Sequence, residues 1–438
     1  MKPPVPPSRD AILGYGRGLR KLVPRSVQGQ FQAEERDAVA MIRESNEGRV
    51  PKLVPVRMAR MAVSPFAFFR GTAPLMAFDL SSQPVTGIYT QLCGDAHVQN
   101  LGAFATNHGD LIFDLNDFDE TVIGPWEWDV KRLAASIVLV GREAGQSEQG
   151  CVDAVQEMAH RYQKWVHALT LMPVLSLSDF TLVRTKGSGP VRRILKKAQR
   201  KTQAEEMEKR TALNEDGIPR FRELPFQTPV PDAVASRIIG SLKRYRTTLT
   251  PNHLSIFDAY HPSDVAFKVA GTGSVGRRDY IVMFFGNGLE DPLFLQVKEA
   301  GPSCYERYLP LVQLPVHHGQ RVAQGQQRMQ IVSDPFLGWT TIEDRHYLVR
   351  KLASHKAGVN TAELHGEALV QYAVTCGESL AKAHARTGGG ATLAGYLGKS
   401  DKFGTALAAF ACRYADQVEK DFATFTTAIS EGVLVAGS

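Results

Sequence analysis

Two short apolar runs, each followed by clustered acidic and amide side chains, limit most strongly what this chain can fold into. Residues 89–93 and 111–113 are apolar enough to form short strands. A polar turn would account for one or two of the residues that follow them, but not for this many in an apolar setting. Strand-borne carboxylates and carboxamides can bind Mg²⁺ through hard oxygen ligands, while a separate Asp orients a hydroxyl nucleophile. The residues are Asp95, Asn100, Asp114, Asn116, Asp117 and Asp119.

Size and charge leave several classes of protein open. With 438 residues the chain is long enough for two or three domains, and 43% hydrophobic and 22% charged residues are ordinary values for a globular protein. The net charge of +6 suits anionic ligands such as nucleotides. The basic runs at residues 192–200 and 243–246 are typical of solvated helix faces, and no aromatic residues alternate with them. Nucleic acid is therefore an unlikely partner.

Cysteine usage and hydropathy indicate a reduced, cytoplasmic setting. The five cysteines are scattered, odd in number and form no CxxC pair, which argues against a disulfide framework or a zinc site. The proline-rich start contains no apolar core of a signal peptide. No apolar run approaches the roughly 18 residues that a membrane helix needs, so we expect no membrane partner.

A glycine-rich loop begins a second group of functional residues. A dinucleotide-binding fold would need a helix after this loop, whereas residues 277–285 have the pattern of a strand. A glycine loop between antiparallel strands is typical of the phosphate-covering lid of kinases, which also requires a Lys on the next strand. Lys298 ends that strand, although an exposed Lys at a strand end is also common. The loop residues are Gly271, Thr272, Gly273, Ser274, Val275 and Gly276.

Motifs along most of the chain identify a family resemblance. Over about residues 30–425 the sequence resembles the bacterial family called domain of unknown function 2252, which is grouped with the kinase-like folds. The resemblance implies an α+β, two-lobed, protein-kinase-like fold. Its motifs here are SPFAFFRG, CGDAHVQN, DLNDFDE, WEWDVKRLA, LQVKEA, GQRVAQGQ, DPFLGW, LVRKL and AHAR.

The order of these segments is that of a circularly permuted kinase. Kinases and antibiotic phosphotransferases begin with the glycine loop, whereas in this chain the segment that resembles their catalytic loop comes first. Residues 380–385 resemble the end of the helix that precedes the catalytic loop in aminoglycoside phosphotransferases, yet no segment that resembles a catalytic loop follows them. Permutation is physically tolerable because domain termini usually lie at the surface and close together.

The resemblance assigns roles to the residues of the first cluster. Asp95 resembles the catalytic Asp that orients the acceptor hydroxyl, and Asn100 resembles the second metal ligand. Asp117 is the primary candidate for binding Mg²⁺, because a further Asp follows it after 129 − 117 = 12 positions, as in the phosphotransferases. That residue, Asp129, is expected to tie the next helix to the catalytic loop. Asp119 is a third candidate metal ligand.

Other residues receive supporting roles. His97 resembles a His in the phosphotransferase loop and is expected to make local hydrogen bonds. Arg70 ends an aromatic segment and could reach a phosphate. The sequence does not decide whether Asp114 and Asp119 bind the metal or only form the turn.

One departure from the kinase pattern bears on Lys298. Active kinases pair the strand Lys with a Glu on the next helix, but residues 307–332 contain no acidic residue. Glu299 would point to the other face of the strand. The helix offers only glutamines as substitutes that could form hydrogen bonds, namely Gln320, Gln324 and Gln327.

The leading hypothesis is an Mg²⁺- and ATP-dependent phosphotransferase acting on a hydroxyl acceptor, either a small metabolite or a protein. The alternatives are a nucleotide-binding pseudokinase that acts as an interaction module, and an enzyme that transfers AMP with the same residues. The expected divisions are 1–55 (N-terminal helical extension), 56–185 (catalytic loop and metal site), 186–260 (helices and surface linker or insertion), 261–358 (small nucleotide-binding β lobe) and 359–438 (closing helices of the large lobe).

Overall fold

The computed structural model describes most of the chain. The described ranges are 7–105, 111–178, 189–199, 203–269, 271–309, 315–330, 332, 334–352 and 357–437. Arg200, part of a predicted basic helix face, lies outside them. Within these ranges no helix is both long and apolar enough to cross a membrane. The mixture of helices and antiparallel strands confirms the α+β class.

Five short helices open the chain, and polar side chains begin several of them. Ser8, Asp37 and Ser64 each accept a hydrogen bond from the backbone amide three residues ahead, which satisfies otherwise unpaired donors of the first turn. Pro65 occupies the first position of its helix, where the missing N–H costs nothing. These helices are α1 (Arg9–Leu19), α2 (Ala38–Glu44), α3 (Val54–Met61), α4 (Pro65–Gly71) and α5 (Ala73–Ser81).

We call the residues Asp95, Asn100, Asp114, Asn116, Asp117 and Asp119 the acidic segment. They lie on or next to short antiparallel strands that are followed by two long helices. Strand β1 (Tyr89–Leu92) pairs with β4 (Val122–Pro125), and β2 (Leu101–Ala105) pairs with β3 (Leu111–Leu115). Helix α6 (Trp126–Glu143) is buried along nearly its whole length, and α7 (Glu148–Thr170) packs against it.

The region predicted as helices with a surface linker or insertion contains helices and short strands. Strand β7 joins the edge of the large sheet by pairing with residues 266–268, and α11 packs on the same sheet. The elements are α8 (Val174–Ser178), α9 (Gly189–Gln199), α10 (Gln203–Arg210), β5 (Thr211–Leu213), β6 (Pro219–Phe221), β7 (Gln227–Pro229), α11 (Asp232–Arg246) and α12 (Pro251–Phe257).

A six-stranded antiparallel sheet carries the predicted lysine strand. Its order is β11-β12-β10-β9-β8-β7, and a tight turn at Asn287 joins β9 to β10, as the sequence predicts. Helix α13 (His318–Met329) packs against β11 and β12. The remaining strands of this sheet are β8 (His261–Lys268), β9 (Asp279–Gly286), β10 (Gly288–Glu299), β11 (Gly338–Ile342) and β12 (Arg345–Lys351).

The chain closes with a short strand and three helices that return to α6 and α7. Strand β13 (Ala357–Gly358) pairs with β2, and the helices are α14 (Glu367–Arg386), α15 (Gly390–Leu397) and α16 (Lys402–Ser430). Helix α14 packs along α7, and α16 packs on both α6 and α7. The largest apolar core lies among these helices, the opening helices and the β1–β4 hairpins.

The large sheet has separate apolar clusters on its two faces. Val282, Leu295 and Val297 belong to a core completed by α11 and α12, whereas Ile281 and Phe294 belong to a smaller cluster on the opposite face. Because side chains alternate along a strand, Lys298 shares the face of Phe294. The acidic segment lies on this face.

Candidate active site

A cavity of about 530 Å³ lies where the glycine loop meets the acidic segment. This volume falls within the roughly 300–1,000 Å³ of ordinary ligand pockets. Residues from the opening helices and from the stretch after β10 complete its wall. The predicted site residues that line it are Arg70, Asp95, His97, Asn100, Asp117, Asp119, Gly271, Thr272, Gly273 and Ser274.

Backbone conformation and one buried carboxylate fix the loop that carries Asp95. Gly94 has φ 82°, and a Cβ there would lie 2.2 Å from the carbonyl oxygen of Glu120, so only glycine fits. Asp129 on α6 accepts hydrogen bonds from the amides of Cys93 (2.8 Å) and Gly94 (3.0 Å). Asp129 therefore lies outside the cavity and ties the helix to the loop, which is the supporting role expected for it.

The carboxylate of Asp95 is paired with an arginine. Its Oδ1 accepts a hydrogen bond of 2.6 Å from Nε of the fully buried Arg132, and the Asp95 side chain is 20% exposed. Burial raises the pKa of Asp95 to about 6, although the Arg132 charge acts in the opposite direction. Asn100 donates from Nδ2 to the carbonyl oxygen of Asp95 at 2.7 Å, which sets the distance between these two residues.

His97 is a buried neutral ring beside this carboxylate. Its Nδ1 accepts a hydrogen bond from the amide of Gln99 at 3.2 Å, and its Nε2 lies 3.7 Å from Oδ2 of Asp95. Burial, followed by the charges of Arg70 and Arg132, lowers the pKa of His97 well below its ordinary value. The ring can position its neighbours but does not carry a charge at neutral pH.

Lys298 forms an ion pair with the acidic segment. Its Nζ lies 2.5 Å from Asp119 Oδ2 and 3.9 Å from Asp117 Oδ1. Burial opposes the charged amine, but the two carboxylates outweigh it and raise the pKa of Lys298. The ammonium and the two candidate metal ligands are thus brought together, although they lie far apart in the chain.

Helix α13 supports the acidic segment through an arginine and not through the glutamines considered as partners of Lys298. Gln320 and Gln324 line a different cavity, and Gln327 is exposed. Arg321 donates instead to the carbonyl oxygens of Asp119 and Gly301, both at 2.8 Å. The carboxylate of Asp119 takes the place of a helix Glu as the partner of Lys298.

Glu299 lies on the opposite strand face, as side-chain alternation predicts. Its carboxylate is 2.7 Å from Arg345 and 3.3 Å from Arg278. Glu299 is therefore not available to Lys298.

The glycine loop is held against the opening helices. Arg60 donates to the carbonyl oxygen of Gly271 (2.6 Å), and the amide of Val50 donates to that of Gly276 (2.7 Å). A Cβ at Gly273 would lie 3.0 Å from the carbonyl oxygen of Arg70. Contrary to the prediction for the whole GxGxxG motif, Val275 and Gly276 do not line the cavity, and Val275 is 1% exposed in the core.

Asp114 is a structural residue and does not reach the cavity. Its carboxylate forms a buried ion pair of 2.9 Å with Lys382 on α14, and both side chains are almost completely inaccessible to solvent. The ambiguity between metal ligand and turn residue is thereby removed for Asp114, which is neither. Its charge is compensated by the closing helix.

Several functional residues of the cavity were not identified from the sequence. Arg132 follows Asp129 by one helical turn, and this spacing could have placed it beside the same loop. Arg49 and Arg57 line the cavity but belong to segments without a motif that indicates a site, whereas Arg277, which also lines it, directly follows the glycine loop.

Comparison with known proteins identifies the family. No curated protein and no solved structure shows a significant match to the chain. One family profile, described as "Uncharacterized protein conserved in bacteria (DUF2252)", matches residues 49–428. Since this match spans most of the sequence, the chain belongs to the DUF2252 family.

Proposed function

We propose that this protein is an Mg²⁺- and ATP-dependent phosphotransferase built on a circularly permuted kinase-like fold. The observation that carries the proposal is the ion pair of Lys298 with Asp117 and Asp119, two residues that line the same cavity as the glycine loop. Lys298 itself is 4% exposed and is not among the described residues that line the cavity. Kinases use a strand Lys, a glycine loop and a metal-binding Asp around the nucleotide phosphates.

The position of α14 supports the permutation. In the phosphotransferases the corresponding helix leads into the catalytic loop, whereas here it follows that loop in the chain. Its His384 nevertheless contacts Asp129, the residue that holds this loop, with Nε2 at 3.3 Å from Asp129 Oδ2. The carbonyl oxygen of His384 also accepts a hydrogen bond from Thr90 on β1 at 3.3 Å.

The donor set of the cavity fits Mg²⁺ bound together with a nucleotide. The described residues contain no group of three or more His, Cys, Asp or Glu side chains arranged for a metal. Mg²⁺ commonly takes one or two carboxylates and fills its remaining positions with substrate phosphates and water. Asp117, Asp119 and the carboxamide of Asn100 would hold it. The ion would neutralise charge on the phosphate oxygens.

The acceptor chemistry follows from Asp95. The acceptor oxygen attacks the γ-phosphorus and forms the new O–P bond. The bond to the bridging oxygen breaks, ADP leaves with its electron pair, and the acceptor proton passes to Asp95. Arg132 and the Asn100 contact hold this carboxylate at a fixed position, and orientation of this kind is a large part of catalysis.

The test is product analysis of purified protein incubated with Mg-ATP and candidate hydroxyl acceptors. Release of ADP with a phosphorylated product supports phosphotransfer, whereas release of pyrophosphate would mean AMP transfer. Asp117→Ala should abolish the turnover, and Asp216→Ala, at an exposed turn outside the cavity, serves as the matched control. Equal turnover in the two variants would refute the metal assignment.

One observation favours a second candidate, a nucleotide-binding pseudokinase. Lys298 is paired with Asp119, a candidate metal ligand, and not with a helix Glu as in active kinases. Tight Mg-ATP binding without any turnover would establish this alternative.

A further inference from the structure

A group of arginines forms one wall of the candidate active site. Arg57 on α3 is 1% exposed, and the other members are half-buried. We call them the arginine cluster, and its members are Arg49, Arg57, Arg70 and Arg277, all of which line the cavity.

The arginine cluster donates to neutral groups and forms no direct ion pair with a carboxylate of the described residues. Arg57 donates to Asn46 Oδ1 (2.6 Å) and to the carbonyl oxygen of Gly71 (2.7 Å), and Arg49 donates to the carbonyl oxygen of Val275 (2.6 Å). Within the described ranges, no carboxylate oxygen lies within 4.0 Å of any guanidinium nitrogen of the cluster. The buried Nε atoms of Arg57 and Arg70 have no hydrogen-bond partner among the described residues.

The carboxylates of the same cavity are mostly engaged with other cations. Glu44 pairs with Arg307 at 2.7 Å, Asp119 pairs with Lys298, and Asp95 pairs with Arg132. These three carboxylates are therefore engaged by cations outside the arginine cluster, whereas Glu120, which also lines the cavity, offsets the charge of Arg49 only in part.

Burial and, after it, mutual repulsion oppose the positive charges of the arginine cluster. Burial, followed by the charge of Arg277, lowers the pKa of Arg57 to about 9. Burial, followed by the charges of Arg57 and Arg277, lowers the pKa of Arg49 to about 8. Since a guanidinium remains protonated in proteins, these directions mean that the site holds positive charge at a cost in free energy. A bound anion would remove this cost.

Arg70 connects the arginine cluster to the acceptor end of the cavity, whereas Arg49 and Arg277 lie beside the glycine loop. Burial lowers the pKa of Arg70, and the negative charges of Asp95 and then Asp117 act in the opposite direction. Lys298 instead interacts first with Asp117 and Asp119. A planar guanidinium group can donate two parallel hydrogen bonds to a phosphate group, so clustered arginines are well suited to bind one.

We propose, resting on the phosphotransferase function above, that the arginine cluster binds a phosphate group of the acceptor and so presents its hydroxyl to Asp95. The acceptor is then a phosphorylated, hydroxyl-bearing small molecule. Its phosphate occupies a subsite separate from that of the nucleotide phosphates.

The experiment is calorimetric titration of the full chain with inorganic phosphate, without nucleotide or metal. Arg277→Gln removes a half-buried guanidinium but leaves its backbone hydrogen bond to Ser274, so the fold should persist. This variant should bind phosphate at least about 10-fold more weakly than the wild type, as expected for loss of a charge-assisted contact. Arg192→Gln, with the same change of charge at an exposed position of α9, should bind as the wild type does.

A second arm separates the two sources of phosphate. In the presence of Mg²⁺ and a saturating non-hydrolysable ATP analogue, inorganic phosphate should still bind with similar affinity. Exclusion of phosphate by the analogue would overturn the acceptor subsite, because the arginine cluster would then hold the nucleotide phosphates. Phosphate binding that is absent in the wild type, or equal in the wild type and Arg277→Gln, would also overturn it.

The same titrations distinguish failure of this proposal from failure of the phosphotransferase function. If the analogue does not bind but Arg277→Gln still weakens phosphate binding, the anion site stands and the nucleotide assignment fails. If the analogue binds and phosphate does not, the nucleotide assignment stands and the subsite fails.

Discussion

At the scale of single residues, the environment of Asp95 decides what this site can do. Its carboxylate is held by Arg132 at 2.6 Å and by the loop that Asp129 fixes, so its orientation does not depend on a substrate. Lys298 is tied to Asp117 and Asp119 on the other functional segment. Under the proposed function, the acceptor and nucleotide roles would therefore belong to different residues, and substitutions can separate them.

Asp95→Asn should lower kcat by about 10²-fold or more, in line with the contribution of a general base. The Asn side chain retains an oxygen that can accept from Arg132, so the loop should stay in place. Nucleotide affinity should remain nearly unchanged because Asp95 is not expected to contact the phosphates. Steady-state kinetics with calorimetric Mg-ATP binding would check both parts. A strong, parallel loss of nucleotide affinity would instead make Asp95 a binding residue.

The residues that the sequence predicted at the cavity belong to short motifs with a known chemical pattern. Asp95, Asn100 and Asp117 are examples. Arg57 could not be predicted, because an isolated arginine in a helical segment is usually solvated, whereas Arg277 directly follows the glycine loop and could have been considered together with it. Asp114 was ambiguous for the opposite reason, since its partner Lys382 is 382 − 114 = 268 positions away and no local pattern connects them.

At the scale of elements, the closing helix α14 is joined to the acidic segment by charge as well as by packing. Its Lys382 forms the buried ion pair with Asp114 on β3, and its Tyr372 donates to the carbonyl oxygen of Val98 at 2.7 Å. The helix therefore stabilises the hairpin next to the loop that carries Asp95.

Lys382→Met should lower the free energy of unfolding by about 3–5 kcal/mol, because it leaves the buried Asp114 without its counter-charge. Urea denaturation followed by circular dichroism would measure the change. Lys420→Met, at an exposed position of α16, is the control and should differ from the wild type by no more than about 0.5 kcal/mol. A loss below about 1 kcal/mol for Lys382→Met would mean that Asp114 is compensated in another way.

The contact between α13 and the sheet should weaken in acid. The rings of His317 and His346 stack with centroids 4.0 Å apart. Burial, followed by the charge of His346, lowers the pKa of His317 to about 4. For His318, burial and the charges of Arg321 and His346 lower the pKa to about 4 as well. Since the unfolded chain takes up these protons near pH 6.5, their contribution to stability is complete above that pH and is lost as the pH falls towards 4.

His317→Asn should reduce this pH dependence. In the wild type, His317 accepts a hydrogen bond of 3.2 Å from the amide of Gln320 and so caps α13. Asn at this position keeps a side-chain acceptor for that amide. Denaturation midpoints at pH 7.5 and pH 5 should therefore lie closer together in His317→Asn than in the wild type. His160→Asn, on the exposed face of α7, should show the wild-type difference. An unchanged difference for His317→Asn would contradict the burial argument.

Element types were more predictable than element partners. The Gly286–Gly288 turn and the strand after the glycine loop follow from local chemistry, and both appear in the structure. The edge strand β7 was not predicted, because three residues among several prolines carry no strand pattern and only pairing with β8 defines them. Likewise, the helix register that places Arg321 and not a glutamine beside the acidic segment depends on packing.

At the scale of the whole molecule, the candidate site joins segments that fold in different surroundings. Asp95, Asn100 and Asp117 lie at the edge of the large helical core, while Lys298 belongs to the six-stranded sheet with its own apolar clusters and the glycine loop precedes one of its strands. A ligand bound between them should stabilise both parts together.

Mg-ATP should therefore raise the thermal unfolding temperature. At a concentration of about 100 Kd, binding to the folded state alone adds about 2.7 kcal/mol, which corresponds to a rise of a few °C for a chain of this size. Differential scanning calorimetry would record it, and Asp117→Ala should show a much smaller rise than the wild type. The same rise with ATP in the presence of a chelator would contradict a metal-dependent site.

The most direct test of the central claim is the affinity of Lys298→Ala for Mg-ATP by isothermal titration calorimetry. Lys351→Ala is the matched control, because Lys351 is exposed on the neighbouring strand β12 and is paired with Leu295, on the face opposite to Lys298. If the glycine loop, Lys298 and the acidic segment form one nucleotide site, Lys298→Ala should bind at least about 10-fold more weakly, as loss of a charged phosphate contact predicts, while Lys351→Ala binds like the wild type. Equal affinities for the wild type and both variants, or no Mg-ATP binding by the wild type, would contradict the account.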